Sequence, residues 1–438
     1  MFMKMFKVKG YRLRVVGCAL LFAGLLFAAG CTEEGFVVDD GRVQLSYSSD
    51  TLTFDTVFAT VGTSTRRVTV YNRTSDHLRL SSVTLEGGRA SRFRLNVDGD
   101  TSLVARDIEI ESGDSVFIFV QAHINPNDAR EPFLVEDAIV FSNGQRLPLT
   151  AWGRNAVYHR LLPTDSTWFT AIDCEGWDHG LPHVFVDPAA VLEGNTLRLT
   201  AGDELYFADG ALLVVDSAAR LIAQGTAERP VLFTSLRQDG WYRFLPGQWQ
   251  TLWFYNHSVG NVIDHAVVEN AVGGLRGYPG SEVRVTNTVV RNMSDCGIIG
   301  QGATISGRNL LVYDCYASLT VLTGGSYDFA QCTFANYWTY NVRKIETVVL
   351  SNCMTTQGGV VGGHLHRASF EDCIVWGSYH GGELLLNAIP GYEMNYSFRN
   401  CIVRGGDRDE DPLFTDPKED DYTLQEGSPA AGIGYSFY

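Results

Sequence analysis

The residues best suited to chemistry in this chain fall in one short stretch. Tyr337, Trp338 and Tyr340 are followed by Arg343, with His380 and Glu383 further along. Aromatic rings stack on sugar rings, and a guanidinium grips a carboxylate through paired hydrogen bonds. Such a set suits binding of a glycan or an acidic group. Cleavage needs more: a positioned proton donor and acceptor, or a metal. No close acidic pair of the kind glycoside hydrolysis uses is visible near Arg343, and Thr320, Val321 and Val361 stand in the neighbouring places. No catalytic residue and no cofactor is assigned. His364 and His366 share a strand face, with His380 beyond. Cys174, Trp177, His179 and His183 form a second group. The histidine pair has no partnered carboxylate near it in the sequence and the second group matches no zinc pattern, so surface histidines and a packed junction are expected, and no metal site.

The elements that must position these residues repeat. A polar residue opening a short apolar run recurs at His265, Asn287, Asn309, Gln331, Asn352, Asp372 and Asn400, at steps of 22, 22, 22, 21, 20 and 28. A period this short implies a solenoid, because one unit cannot bury its apolar face alone. The coil is rich in Val, Ile, Phe and Thr, which favours three short strands and three turns. Asn and Asp tolerate the left-handed backbone, so the polar column reads as a bend. Positions one and three residues after it share a strand face and point inward. In that reading Val312 faces in and Leu311, between the two columns, faces out. The inward column also contains Cys332, Cys353, Cys373 and Cys401, expected as buried free thiols.

Asn292-Met293-Ser294-Asp295-Cys296-Gly297-Ile298 shows the order bend, variable loop, Gly-Ile strand. Gly202 to Phe207, Pro230 to Ser235 and the ending from Asp411 to Ala430 add further coils. This pattern resembles a right-handed parallel β-helix of the pectate-lyase-like type over roughly residues 191 to 430. The resemblance implies chemistry on the strand after the variable loop, which would include Val342-Arg343-Lys344 and Glu383-Leu384-Leu385. There Arg343 resembles the lyase arginine, while the calcium-holding acids of that family are absent.

The chain is expected to be all-β, with an Ig-like β-sandwich before the β-helix. Residues 1–30 read as a lipoprotein signal peptide: basic Lys4, Lys7, Lys9, Arg12 and Arg14, a short apolar core, then Ala28-Ala29-Gly30-Cys31. Cys31 is the expected lipidation site, and 31–42 a tether. Residues 43–155 alternate apolar and polar with regular turn signals and resemble bacterial Ig-like domains. Residues 156–190 read as a connector, and 191–438 as the β-helix with a C-terminal cap. Loss of five basic residues with the signal would take the net charge from −16 to −21. A chain this acidic repels phosphate backbones, so nucleic acid is not an expected partner. The expected function is an outer-membrane, lipid-anchored protein whose β-helix binds a polysaccharide or surface protein without cleaving it. The alternatives are a polysaccharide lyase or glycoside hydrolase, and a structural subunit of a surface assembly.

Overall fold

The computed structural model describes residues 36–38, 43–59, 65–162 and 166–436. The expected signal peptide and Cys31 lie outside them. Compactness divides the chain into two units. One holds the described parts of 1–53, 65–122 and 136–150; the other holds those of 54–64, 123–135 and 151–438.

The first unit is built on antiparallel pairing. Arg66–Tyr71 pairs with Ser115–Ala122, which pairs with Phe93–Val97. Leu78–Leu85 pairs with Val104–Ile110. Alternation sets the inner faces: Val68, Val70, Leu78, Leu80, Phe93, Ile118 and Val120 are fully buried.

The second unit is a parallel β-helix of three sheets. Sheet I stacks Val157–His159, His183–Phe185, Glu204–Phe207, Val231–Ser235 and Ala266–Glu269, and ends at Thr333–Asn336, Ile374–Gly377 and Ile402–Val403. Sheet II runs from Thr170–Ala171 to Leu384–Asn387, and sheet III from Thr196–Leu199 to Met394–Arg399. The long strands Glu282–Arg291, Cys296–Tyr313 and Ala317–Ala330 bend through more than one sheet. Parallel stacking begins at Val157, so the segment expected as a connector forms the first rungs instead. There Trp177 stacks on His183 at 3.4 Å, and His159 hydrogen-bonds His183 at 2.9 Å.

The polar column is the bend from sheet III into sheet I. His265, Asn287, Asn309, Gln331, Asp372 and Asn400 all have φ between 49° and 53°. Their side chains form ladders: Asn309 Nδ2 donates to Asn287 Oδ1 at 3.0 Å and Asn400 Nδ2 to Asp372 Oδ1 at 2.6 Å. Asn352 is the exception. It is absent from the left-handed set, and Cys353–Thr356 turns into an antiparallel hairpin with Gly359–Gly362. The rung after Thr333–Asn336 is Ile374–Gly377, so the expected seven coils are six and Cys353 leaves the inward column. All four cysteines are nevertheless buried and free.

The inward columns pack as the alternation requires. Val268, Val290, Val312, Phe334 and Val375 follow one another in register and are fully buried. Phe329, Phe370 and Phe398 stack at 5.4 and 4.6 Å. Leu311 does point away from this core, yet it is only 3% exposed. Phe414, Tyr422, Ala430 and Ile433 from the C-terminal segment lie over it, forming a second apolar layer with Ile374 and Ile402. Leu311 thus lies on the outer face, as the alternation requires, and is buried there by the C-terminal segment.

Candidate functional site

The expected binding residues separate into two groups. Arg343 and Glu383 meet inside the protein. Their side chains are 5% and 0% exposed, and the guanidinium grips the carboxylate at 2.8 and 2.6 Å. Glu383 also accepts from Thr347 N (3.0 Å), Thr347 Oγ1 (2.7 Å) and Tyr379 N (2.8 Å). Arg343 lies in the loop before the sheet II strand Val348–Ser351, not on a strand as expected. The pair staples that loop to the turn at 379–383 and presents nothing to solvent. Trp338 is buried as well, at 7% exposure, with its indole Nε1 donating to Asn341 Oδ1 at 3.0 Å. Tyr337 is half-buried beside Tyr422, and His380 is exposed. His364 and His366 converge on Glu393 at 3.7 and 3.0 Å. Among the described residues, no group of three or more His, Cys, Asp or Glu could hold a metal ion.

Tyr340 is placed differently. It is 47% exposed, its ring lies against Trp338, and its hydroxyl donates to the carbonyl of Phe244 at 2.5 Å. It lines a cavity of about 290 Å³. Three successive rungs build the floor. Glu269, Arg291 and Tyr313 stack in register at the end of sheet I. The bend after them repeats Asn270, Asn292 and Asp314, all with positive φ. Asn292 Nδ2 donates to Asn270 Oδ1 at 2.6 Å, so this bend carries a second amide ladder. The wall is the loop containing the short helix Gly240–Phe244. Asn270 and Asn292 tie it down by donating to the carbonyls of Arg243 and Phe244. Asp420 from the C-terminal segment closes another side.

The cavity is dominated by charge. Arg291 donates to Glu269 Oε2 at 2.9 and 2.7 Å and to the Tyr313 hydroxyl at 2.9 Å. Its distance to Asp420 Oδ2 is 3.8 Å. Asp314 accepts from Tyr337 N and the Tyr422 hydroxyl at 3.3 and 3.1 Å. Burial, and then the charge of Asp420, push the Asp314 carboxyl up to about 6. Burial also raises the Tyr313 phenol above its ordinary range. The site thus holds a fixed guanidinium, a carboxyl that titrates near neutrality and a carboxylate at its mouth. Phe244 and Tyr340 form an aromatic rim. Charged and aromatic groups converging on a concavity of this kind mark the usual site for a small polar ligand.

Of the residues that line this cavity, Tyr340 alone is among the expected binding residues. Asp314 and Asp420 stand far apart in the chain, and only the C-terminal segment brings them together. The 22-residue step from Asn270 to Asn292 to Asp314 was the available signal, since it runs parallel to the first bend column. A scan against protein-family models finds no match to this chain, and a search of curated proteins finds none either.

Proposed function

We propose that this chain is a lipid-anchored surface protein that binds a glycan in the cavity between the sheet I bend and the Gly240–Phe244 loop. The observation that carries the reading is the pairing of an aromatic rim with a fixed polar floor. Phe244 and Tyr340 are 57% and 47% exposed and offer ring faces to a sugar. Arg291 and Glu269 supply a donor and an acceptor whose positions are set by the rungs, and Asp420 adds an acceptor from the C-terminal segment. The anchor in this reading is a lipid on Cys31, at the start of the 31–42 tether. Binding of neutral and acidic oligosaccharides measured by calorimetry tests the site. Tyr340→Ala should weaken binding several-fold with an unchanged melting temperature; unchanged affinity would remove the cavity from the reading. Labelling with a fatty-acid analogue should mark wild type and not Cys31→Ala, and equal labelling would end the lipoprotein reading.

A second reading, glycoside hydrolysis, is favoured by one observation. The Asp314 carboxyl is raised to about 6 by burial and by Asp420 beside it, and two neighbouring carboxyls of which one is raised are what acid–base catalysis on a glycan needs. New reducing ends on incubation with a glycan panel, lost in Asp314→Asn, would replace binding by turnover.

A further inference from the structure

The outer face of sheet III carries a groove that neither the cavity nor the ion pair of Arg343 explains. Two hollows of about 320 and 290 Å³ share Arg284, Thr286 and Arg308 and so run together across the rungs. The floor between the long side chains is made of short ones. Ser306 stands opposite Arg284 on the next rung, and Ala330 stands opposite Arg308 on the rung after that. Strand alternation puts all of these on the outer face, because the residues between them, Val285, Gly307 and Phe329, belong to the inward column.

The charges around the groove are unevenly matched. Asp328 is bound by Arg367, and Glu371 by Arg399 at 2.9 Å. Asp264 accepts from Thr286 Oγ1 at 2.6 Å and Asn287 Nδ2 at 2.9 Å, with His265 Nδ1 at 3.2 Å. Those acids are occupied. Among the described residues the Arg308 side chain has only a neutral partner, the Gln331 side-chain oxygen at 2.9 Å. Arg284 is exposed, and its side chain makes no hydrogen bond or ion pair among the described residues. Glu282, two residues back on the same strand face, does not line the groove. A guanidinium stays charged at any physiological pH and presents five donors in a fixed fork. In a chain with a formal charge of −16, an arginine left unmatched in a groove is a selective feature.

We propose that this groove binds an acidic oligosaccharide, with Arg284 gripping an anionic oxygen group on one sugar and Arg308 contacting the next. The two arginines stand on adjacent rungs, offset by two residues. Rung spacing and strand rise put their Cα atoms roughly 8 Å apart. Ser306 and Ser369 offer hydroxyls along the same floor. Carboxylate and sulfate share the chemistry that Arg284 reads. The proposal stands apart from glycan binding at the cavity, since it rests on a different sheet face and different residues.

The test uses the full chain and three tetrasaccharide probes at about physiological salt: one uronate, one sulfated and one neutral. Affinity is measured for wild type, Arg284→Gln, Arg308→Gln, Tyr340→Ala and Arg198→Gln. Arg198 lies in the same outward column three rungs away, exposed and outside the groove. At least one acidic probe should bind and the neutral probe should not compete with it. Arg284→Gln should lower that affinity about tenfold or more, as loss of a charge-assisted hydrogen bond does. Arg308→Gln should lower it less, and Arg198→Gln and Tyr340→Ala should leave it unchanged. The uronate and sulfated arms show which acid is read. No acidic binding overturns the proposal. So does equal loss in Arg198→Gln, which would mean diffuse charge attraction, or loss only in Tyr340→Ala, which would move the site to the cavity.

Discussion

Glu383→Ala should be among the most damaging single substitutions in the solenoid, and more damaging than Arg343→Ala. Removing Glu383 strands a guanidinium whose side chain is 5% exposed, leaving it the Ile345 carbonyl at 3.3 Å, the Thr347 hydroxyl at 3.1 Å and the Tyr379 ring at 5.3 Å, none of them charged. It also orphans the backbone N–H groups of Thr347 and Tyr379. Breaking a buried pair by deleting one partner costs about 3–5 kcal/mol, and the two lost N–H partners put this case at the upper end. Removing Arg343 is milder, because Glu383 keeps three donors from Thr347 and Tyr379. Replacing both by apolar residues, Arg343→Met with Glu383→Leu, should recover much of the loss, since no charge is then left buried. The assay is urea unfolding followed by circular dichroism, with limited proteolysis of the 337–347 loop as a local readout. If both single variants unfold within about 0.5 kcal/mol of wild type, the pair is not structural and the reasoning fails. An order in which Arg343→Ala is the worse of the two would also refute it.

Leu311→Asp should destabilise by several kcal/mol, comparably to Val312→Asp, because both place an unpaired carboxylate in an apolar layer; a mild Leu311 variant in thermal melts would mean that the C-terminal segment does not cover sheet I. Cys332, Cys353, Cys373 and Cys401 should all alkylate after denaturation without reductant, and a disulfide between any two in the peptide map would contradict the free thiols. The Asp314 carboxyl is raised from 3.8 to about 6. Its favourable contribution is therefore complete below about pH 3.8 and lost as pH rises through about 6, on the order of 2–3 kcal/mol. Asp314→Asn should flatten stability between pH 4 and 6 and raise it at pH 7; an unchanged pH profile would refute the buried carboxyl.

The solenoid was legible because two physical constraints recur at one spacing: a side chain that tolerates positive φ at the bend, and apolar residues on the inward face after it. His265 and Gln331 suit that bend less well by residue type, yet both adopt it, at φ 49° and 53°. Stacking on neighbouring rungs overrides local preference there. Asn352-Cys353 carries the same composition without the same role. The Asn352 side chain instead pins the 389–393 loop, bonding the Ile389 backbone and the Tyr392 carbonyl. Composition cannot separate a bend from a loop anchor when the register that distinguishes them lies in the next rung. Arg343 was misread for a related reason: its partner is distant in sequence, and burial of a charge shows only when both partners are placed. The outward faces were the least legible. What covers Leu311 is decided by a segment a hundred residues away, whereas inward positions answer to their own coil.

The hairpin at 353–362 has a consequence for engineering. Between Gln331 and Asp372 the chain spends 41 residues on one circuit, nearly twice the 22 of the three circuits before it, yet Phe334 still meets Val375 in register. Extra length enters at two corners, the 337–347 loop between sheets I and II and the 353–362 hairpin between sheets II and III, and the amide-lined corner before sheet I resets the count. The scaffold therefore behaves as a ratchet with two adjustable teeth. A foreign loop or small domain inserted at Gly358-Gly359, on the tip of that hairpin and open to solvent, should ride on the coil without disturbing its neighbours.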